Sequence, residues 1–352
     1  MRVLLNILFF ITILFLIFIL LSSTGLLSPI INKISNQSSI IINQSLDTTV
    51  NISNNTIIPV QRINQTALDI YSLNLINKDR QKYGLSNVSL SQEASGQQHA
   101  SSMLNNSYFS HWDLFDMKPY MRYTLMGGNG SVQENIAYES SESCTVTGCT
   151  GNINVTQALK NMEYSMMYND SICCNNGHRD NILNPYHNEV SIGVAYNSST
   201  VYFVEDFINN YITWDKGSPS YSNIGEVYLT GAIQNGYAIN STIVSYDTPL
   251  INLTKTNVPN GPYSFGNEIA GVVSNNNEYY KNISTIIANT YTANNNNFNI
   301  NFNIKKLIEE NGPGEYTILL FLNNITTKTS FLGSDYTIFI ADNYSSYIPK
   351  TI

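Results

Sequence analysis

Apolar positions change their rhythm several times along this chain, and each rhythm predicts a different kind of element. From Val3 to Leu21 the residues are apolar almost without interruption, broken by Asn6 and Thr12. A helix of that length, at about 1.5 Å per residue, comes close to crossing a hydrocarbon core of about 30 Å. Residues 1–24 therefore read as a signal-anchor or a signal peptide, with Arg2 left inside and Ser22, Ser23 and Gly25 offering a cleavage site. Residues 25–65 are Ser, Asn, Gln and Ile with little pattern, the composition of a flexible stalk. Helical spacing begins after that. Leu68, Tyr71, Leu75 and Ile76 share a stripe, with Thr66 placed to cap the helix and Gly84 to end it. A second helix is expected in residues 90–106, with Ser91 as its N-cap and Ala94 and Met103 turned inward, and a third over 154–169. Two alternating runs follow, EVSIGVAYN and TVYFVEDFINNY, separated by Ser-Ser in the manner of a hairpin. Helices first and strands last predict an α+β layered domain over residues 66–213.

A Gly- and Pro-punctuated linker is expected over 214–221. Beyond it come short alternating runs, from EVYLTGAI to SDYTIFIAD, separated by turn residues such as NGPGEY. They predict an all-β, sandwich-like domain over 222–345. That part holds no His and no Cys. It reads as a spacer or stabilising module, with carbohydrate or protein adhesion as the sharper alternative.

Composition narrows the function. Of 352 residues only 12% are charged, and the net charge is −8. With no basic stripe to neutralise phosphates, nucleic acid is excluded as a partner. Asn-x-Ser/Thr sequons recur downstream of the apolar run, which agrees with export but is weak evidence in so Asn-rich a chain. The four cysteines, Cys144, Cys149, Cys173 and Cys174, fall close together. In an exported chain they read as disulfides, and cross-pairing of 144/149 with 173/174 avoids bridging neighbours. A four-thiolate zinc site is the alternative.

The chain has four histidines. His99 lies inside the second helix and His187 in a loop, and both read as surface or satisfied structural residues. His111 in YFSHWD, Glu134 in VQENIA and His178 in NNGHRDNIL stand in three separate segments, each beside ordering residues. Two imidazoles and a carboxylate suit a divalent metal such as zinc, or a buried acid–base cluster, if the fold brings them together.

In order, F-S-H, E-N-I-A, G-H-R-x-N-I-L-N-P and E-V-S-I-G-V-A-Y, after the helix L-x-L-I-N-K-D-R-Q-K-Y-G-L, resemble the CAP superfamily. That family groups cysteine-rich secretory, antigen 5 and pathogenesis-related-1 proteins and is also called the SCP domain; the match is to its compact prokaryotic branch, over about residues 66–210. The resemblance implies an α-β-α sandwich whose cleft is lined by two His and two acidic residues, where several members hold a divalent metal. It carries His111, Glu134 and His178 over as cleft residues and candidate ligands, with Asn135, Arg179 and Asn181 supporting them. Gln133 stands where the family has Gly. Met162 replaces the usual Trp and Ser165 falls at the second acidic position, while Glu163 lies about 200° around the helix from it. The function expected is an extracellular binding module, on the outer membrane face through the N-terminal helix or secreted if cleaved, for a lipid, glycan or protein ligand. The alternatives are a His/Glu- or metal-dependent hydrolase and a purely structural surface protein.

Overall fold

The computed structural model describes residues 64–349, apart from 146, 147, 223, 224, 276, 295 and 342–345. The expected anchor over 1–24 and nearly all of the stalk over 25–65 lie outside the described residues. Among the described residues no helix is long and apolar enough to cross a membrane. In chain order the first elements are α1 (Gln65–Lys82), β1 (Ser89–Leu90), α2 (Ser95–Asn106), α3 (Pro119–Leu125), β2 (Ser131–Ser140), β3 (Glu142–Thr145) and β4 (Gly148–Gly151). Then follow α4 (Val155–Tyr168), α5 (Asp170–Cys174), α6 (Gly177–Ile182), β5 (Glu189–Tyr196) and β6 (Thr200–Asn209). The remainder is β7 (Ile212–Trp214), β8 (Ser220–Tyr221), β9 (Glu226–Ile233), β10 (Tyr237–Asp247), β11 (Asn267–Val273), β12 (Ser284–Ile287), β13 (Thr290–Asn294), β14 (Asn297–Asn303), α7 (Lys305–Asn311), β15 (Gly314–Asn324) and β16 (Ser330–Ile340).

The protein is α+β. Strands β1-β5-β6-β2 form one sheet in that order, with the expected β5–β6 hairpin at its centre and β2 on its outer side. Helix α2 packs on β5 and β6, and α4 packs on β2 and β6. Side chains of a strand point alternately to its two faces, and β6 shows what this does: Glu205 meets Glu163 of α4, whereas Asp206 accepts from Ser95 of α2 at 2.5 Å. Close contact between α2 and β5 requires glycine on both. A Cβ on Gly193 would lie 2.0 Å from the Gly96 carbonyl oxygen.

Two further sheets make the C-terminal half, in the orders β12-β11-β10-β15-β16 and β13-β14-β9-β7, with β8 also on β9. Their inner faces share one apolar core. Val227, Leu229, Ile300 and Phe302 come from one sheet, and Val244, Ile318, Leu320 and Ile338 from the other. The burial of β9 alternates along the strand, which is why EVYLTGAI was readable as a half-buried strand. Residues 214–221, expected as a linker, carry the end of β7 and all of β8 on the second sheet.

Some local expectations need correction. The second helix begins at Ser95, and Ala94 is exposed at its N-cap, so Ser91 does not cap it. At α1 the capping oxygen is Asn64 Oδ1, which accepts from the Thr66 N–H at 3.0 Å. One of the alternating runs between EVYLTGAI and SDYTIFIAD, the run STIIANTY, breaks into β12 and β13, which lie in different sheets.

Arg80, on α1, positions the segment that carries the site. Its side chain is fully buried and donates to the carbonyls of Ser86, Ile182, Asn184 and His187 at 2.7–3.0 Å. A buried guanidinium is tolerated when its donors are satisfied, and this one ties the end of α1 to the loop between α6 and β5.

Gly193→Ala tests the α2–β5 approach. The added methyl should lower stability by about 2–3 kcal/mol through overpacking against backbone, read as a shifted urea midpoint with an unchanged slope; an unmoved midpoint would show that the helix can slide away freely.

Candidate functional site

Glu134 sits on β2, facing α2, and is buried. Its Oε1 is 2.9 Å from His111 Nδ1. Its Oε2 is 2.7 Å from His99 Nδ1 and accepts from Arg122 Nη2 at 2.7 Å. Burial alone would push this carboxyl upward, but His99, the Arg122 guanidinium and the hydrogen bonds of both imidazoles hold it well below its ordinary range. Burial, then the Arg122 charge, push His99 below its usual value. Among the described residues His99 Nε2 has no partner. The tautomer with hydrogen on Nδ1 donates to Glu134 and leaves only a lone pair uncompensated at Nε2.

Arg122, from α3, does more than neutralise Glu134. Its Nη1 donates to the carbonyls of His111 and Met117 at 2.8 and 2.6 Å, so the same side chain holds the loop that presents His111. Asp113 Oδ1 closes that loop by accepting from the Phe115 and Met117 N–H groups. Beside Glu134 across the ladder, Asp206 is pushed well above the usual range, first by burial and then by the Glu134 charge.

The next residue, Asn135, faces the other way. Its Nδ2 donates to the His178 carbonyl and to Glu205 Oε2, both at 3.1 Å, and its Oδ1 accepts from Asn181 at 2.9 Å. Asn181 Oδ1 lies 2.8 Å from His187 Nε2. His187 is buried and structural, with burial pushing it down to about 3. Glu163 is buried beside Glu205, and burial and the Glu205 charge raise it well above its ordinary value. Ser165 is exposed on α4. His178 opens α6, with its Nδ1 2.6 Å from Asp170 Oδ1, and Asp170 Oδ2 accepts from the Arg179 N–H at 3.1 Å. The Arg179 guanidinium stands over the Tyr83 ring.

His111, Glu134 and His178 all line one cavity of about 1050 Å³. They reach it from opposite faces of the sheet, around the outer strand β2. The direct bond is between His111 and Glu134; His178 is bonded instead to Asp170. The far wall comes from the C-terminal half. Residues 248–266, between β10 and β11, run across as a strap. Pro259 accepts from Ser110, Ser264 accepts from Lys118, and the Tyr263 ring lies 5.0 Å from that of His111. The Tyr263 hydroxyl oxygen accepts from the Glu134 N–H at 2.9 Å, and Asp335 Oδ2 accepts from the Val132 N–H at 2.9 Å, so both occupy backbone donors that an outer strand leaves unpaired.

The cysteines differ from expectation. Cys173 and Cys174, consecutive on α5, are bonded to each other. Cys144 is disulfide-bonded elsewhere, and stands opposite Cys149 in the β3–β4 hairpin. Cross-pairing is therefore absent, because Cys173 and Cys174 are already bonded to each other on one helical turn.

Sequence reasoning missed His99, Arg122, Asp170 and Tyr263 as site residues. His99 had a readable clue: it falls on the stripe of Ser95, Gly96, Ala100 and Met103 that α2 buries. Tyr263 had none, since it belongs to a segment more than a hundred residues away.

Residues 73–207 match the CAP family, described as the cysteine-rich secretory protein family. Over those residues, less than half of its length, the chain is similar to a CAP domain. Among solved structures it is similar to an extracellular protein containing an SCP domain from Bacillus anthracis str. Ames, with 19% identity and a TM-score of 0.30, over 42% of this chain and 45% of that one. It is also similar to the CAP domain of enterococcal PrgA, with 15% identity and a TM-score of 0.30, over 42% of this chain and 64% of the other. The match spans less than two thirds of either structure. No curated protein matches the chain.

Glu134→Gln should destabilise the protein at neutral pH by about 3–5 kcal/mol, because it leaves the buried Arg122 charge uncompensated. Folding depresses the Glu134 pKa, so the stabilisation is complete above its ordinary value of 4.5 and is lost as pH falls through the lower folded value. Urea unfolding across acidic pH should show wild type losing more stability than the variant below about pH 4.5; parallel curves would remove Glu134 from the linkage.

Proposed function

We propose that the chain is an extracellular binding module whose cleft takes a small ligand, with His111 and His178 as candidate anchors for a divalent metal ion. One observation carries the reading. Two imidazoles line a single cavity, and each has its Nδ1 against a carboxylate, Glu134 for His111 and Asp170 for His178. A carboxylate on one ring nitrogen sets the tautomer and raises the basicity of the other, which is the usual second shell of a metal-bound histidine. Glu134 fits as the group that orients His111 rather than as a ligand, since its oxygens already serve His111, His99 and Arg122. Imidazole donors suit zinc, which would supply a Lewis acid to a ligand in the cleft.

The other walls favour an apolar or aromatic portion of a lipid, glycan or peptide, since Phe109, Pro262, Tyr263 and Phe265 line the cavity. Export is supported by the apolar run of residues 3–21, the sequons and the disulfides. The N-terminal run is the candidate membrane contact.

Calorimetric titration of the full, oxidised chain with zinc should give saturable binding near one equivalent. The His111→Ala/His178→Ala variant should lose it by at least about tenfold. Matching isotherms for the two proteins would sink the metal reading.

A further inference from the structure

We infer that Asp170, Cys173, Cys174 and His178 form a second, thiol-dependent site for a zinc-class cation, available only when the Cys173–Cys174 disulfide is reduced. It goes beyond the cleft reading and shares only His178 with it. One ligand atom from each of the four residues lies within 4.8 Å of those of the other three. That spacing is close to what a four-coordinate ion requires, so small side-chain rotations suffice. Two thiolates, one carboxylate and one imidazole make a mixed donor set that suits zinc better than calcium or magnesium.

Local structure explains why the four converge. Asp170, Cys173 and Cys174 stand at i, i+3 and i+4 on α5, which puts the aspartate above the cysteines on one face of a single turn. Asn175 and Asn176 then take left-handed backbone, with φ of 50° and 64°. Asparagine tolerates that conformation better than other side-chain-bearing residues. The two reversals bring His178 back against Asp170, at 2.6 Å. Asp170 is buried, which is unusual for a carboxylate without a built role, while Cys173 is exposed and both cysteines line the cavity. A reductant therefore has access.

The chemistry balances. An external dithiol reduces the disulfide: two electrons and two protons pass to the protein sulfurs, and the reductant leaves as its own disulfide. On binding, each thiol releases its proton and donates as thiolate. Two thiolates and a carboxylate, with an imidazole completing the set, would then face a dication.

The test reduces the full chain with a dithiol, removes the reductant without air, and titrates with Co2+. Reduced wild type should show thiolate-to-cobalt charge transfer and visible ligand-field bands that saturate near one equivalent and vanish on adding zinc. The oxidised chain should show no charge-transfer band. Cys173→Ser and Cys174→Ser should each abolish it, and Asp170→Asn should weaken binding at least about tenfold. His111→Ala should leave the band intact, which separates this site from the cleft metal. The Cys144→Ser/Cys149→Ser variant should also retain it, which excludes the hairpin thiols. Absence of the band in reduced wild type, or its survival without Cys173 and Cys174, would overturn the inference.

Discussion

The buried contact between Glu134 and Arg122 is the constraint on which the cleft depends. A carboxylate with no exposure is tolerable only with its oxygens satisfied, and here two imidazoles and a guanidinium do so. Because Arg122 also holds the carbonyls of His111 and Met117, neutralising the charge and fixing the His111 loop are one event. Burial and then the same carboxylate raise its neighbour Asp206, biasing it toward its neutral form. A buried ion pair of this kind is weak evidence of net stability. Its effect is geometric: the imidazole of His111 has one place to be.

Strand alternation then divides the work. Glu134 and Asn135 are neighbours on β2, so they face opposite sides of the sheet; Glu134 bonds the imidazoles of His99 and His111, and Asn135 holds the His178 backbone. A cavity reached from both faces must run around an outer edge. An outer edge exposes backbone donors, and something has to satisfy them. Tyr263 and Asp335 do so from the C-terminal half. A module with no histidine and no cysteine thus belongs to the architecture of the cleft, by covering the edge and supplying one wall.

Much of this was legible in the sequence. Alternation located β5, β6 and β9 almost to the residue, and helical stripes located α1 and α4. Those signals are local, carried by side chains a few positions apart. The segments that carry the cleft were legible too, through the F-S-H, E-N-I-A and G-H-R motifs. What stayed hidden was long-range or too short to show periodicity. The contact from Tyr263 to Glu134 spans more than a hundred residues and leaves no pattern at either end. Helix α5 has a single turn, so Asp170 gave no periodic sign of facing His178. The cysteine pairing differs from the cross-pairing expected, because neighbouring Cys173 and Cys174 bond to each other within one helical turn.

The scarcity of charge in this chain also looks different once its locations are known. Asparagine, serine and threonine furnish much of the polar surface, while Arg80, Arg122, Glu134, Glu163, Asp170, Glu205 and Asp206 are buried around one sheet. Burial raises both Glu163 and Glu205, and the Glu205 charge raises Glu163 further, so the acid side chains behind His178 are biased toward their neutral forms. A neutral carboxyl can donate a hydrogen bond and does not compete for cations. The acid groups that touch a cleft histidine are Glu134 and Asp170. Asn135 and Asn181 complete the arrangement, because amides position the His178 backbone without adding charge. Low overall charge and a strongly organised ionic interior are therefore compatible: with few charges elsewhere, those around the two histidines act with little interference.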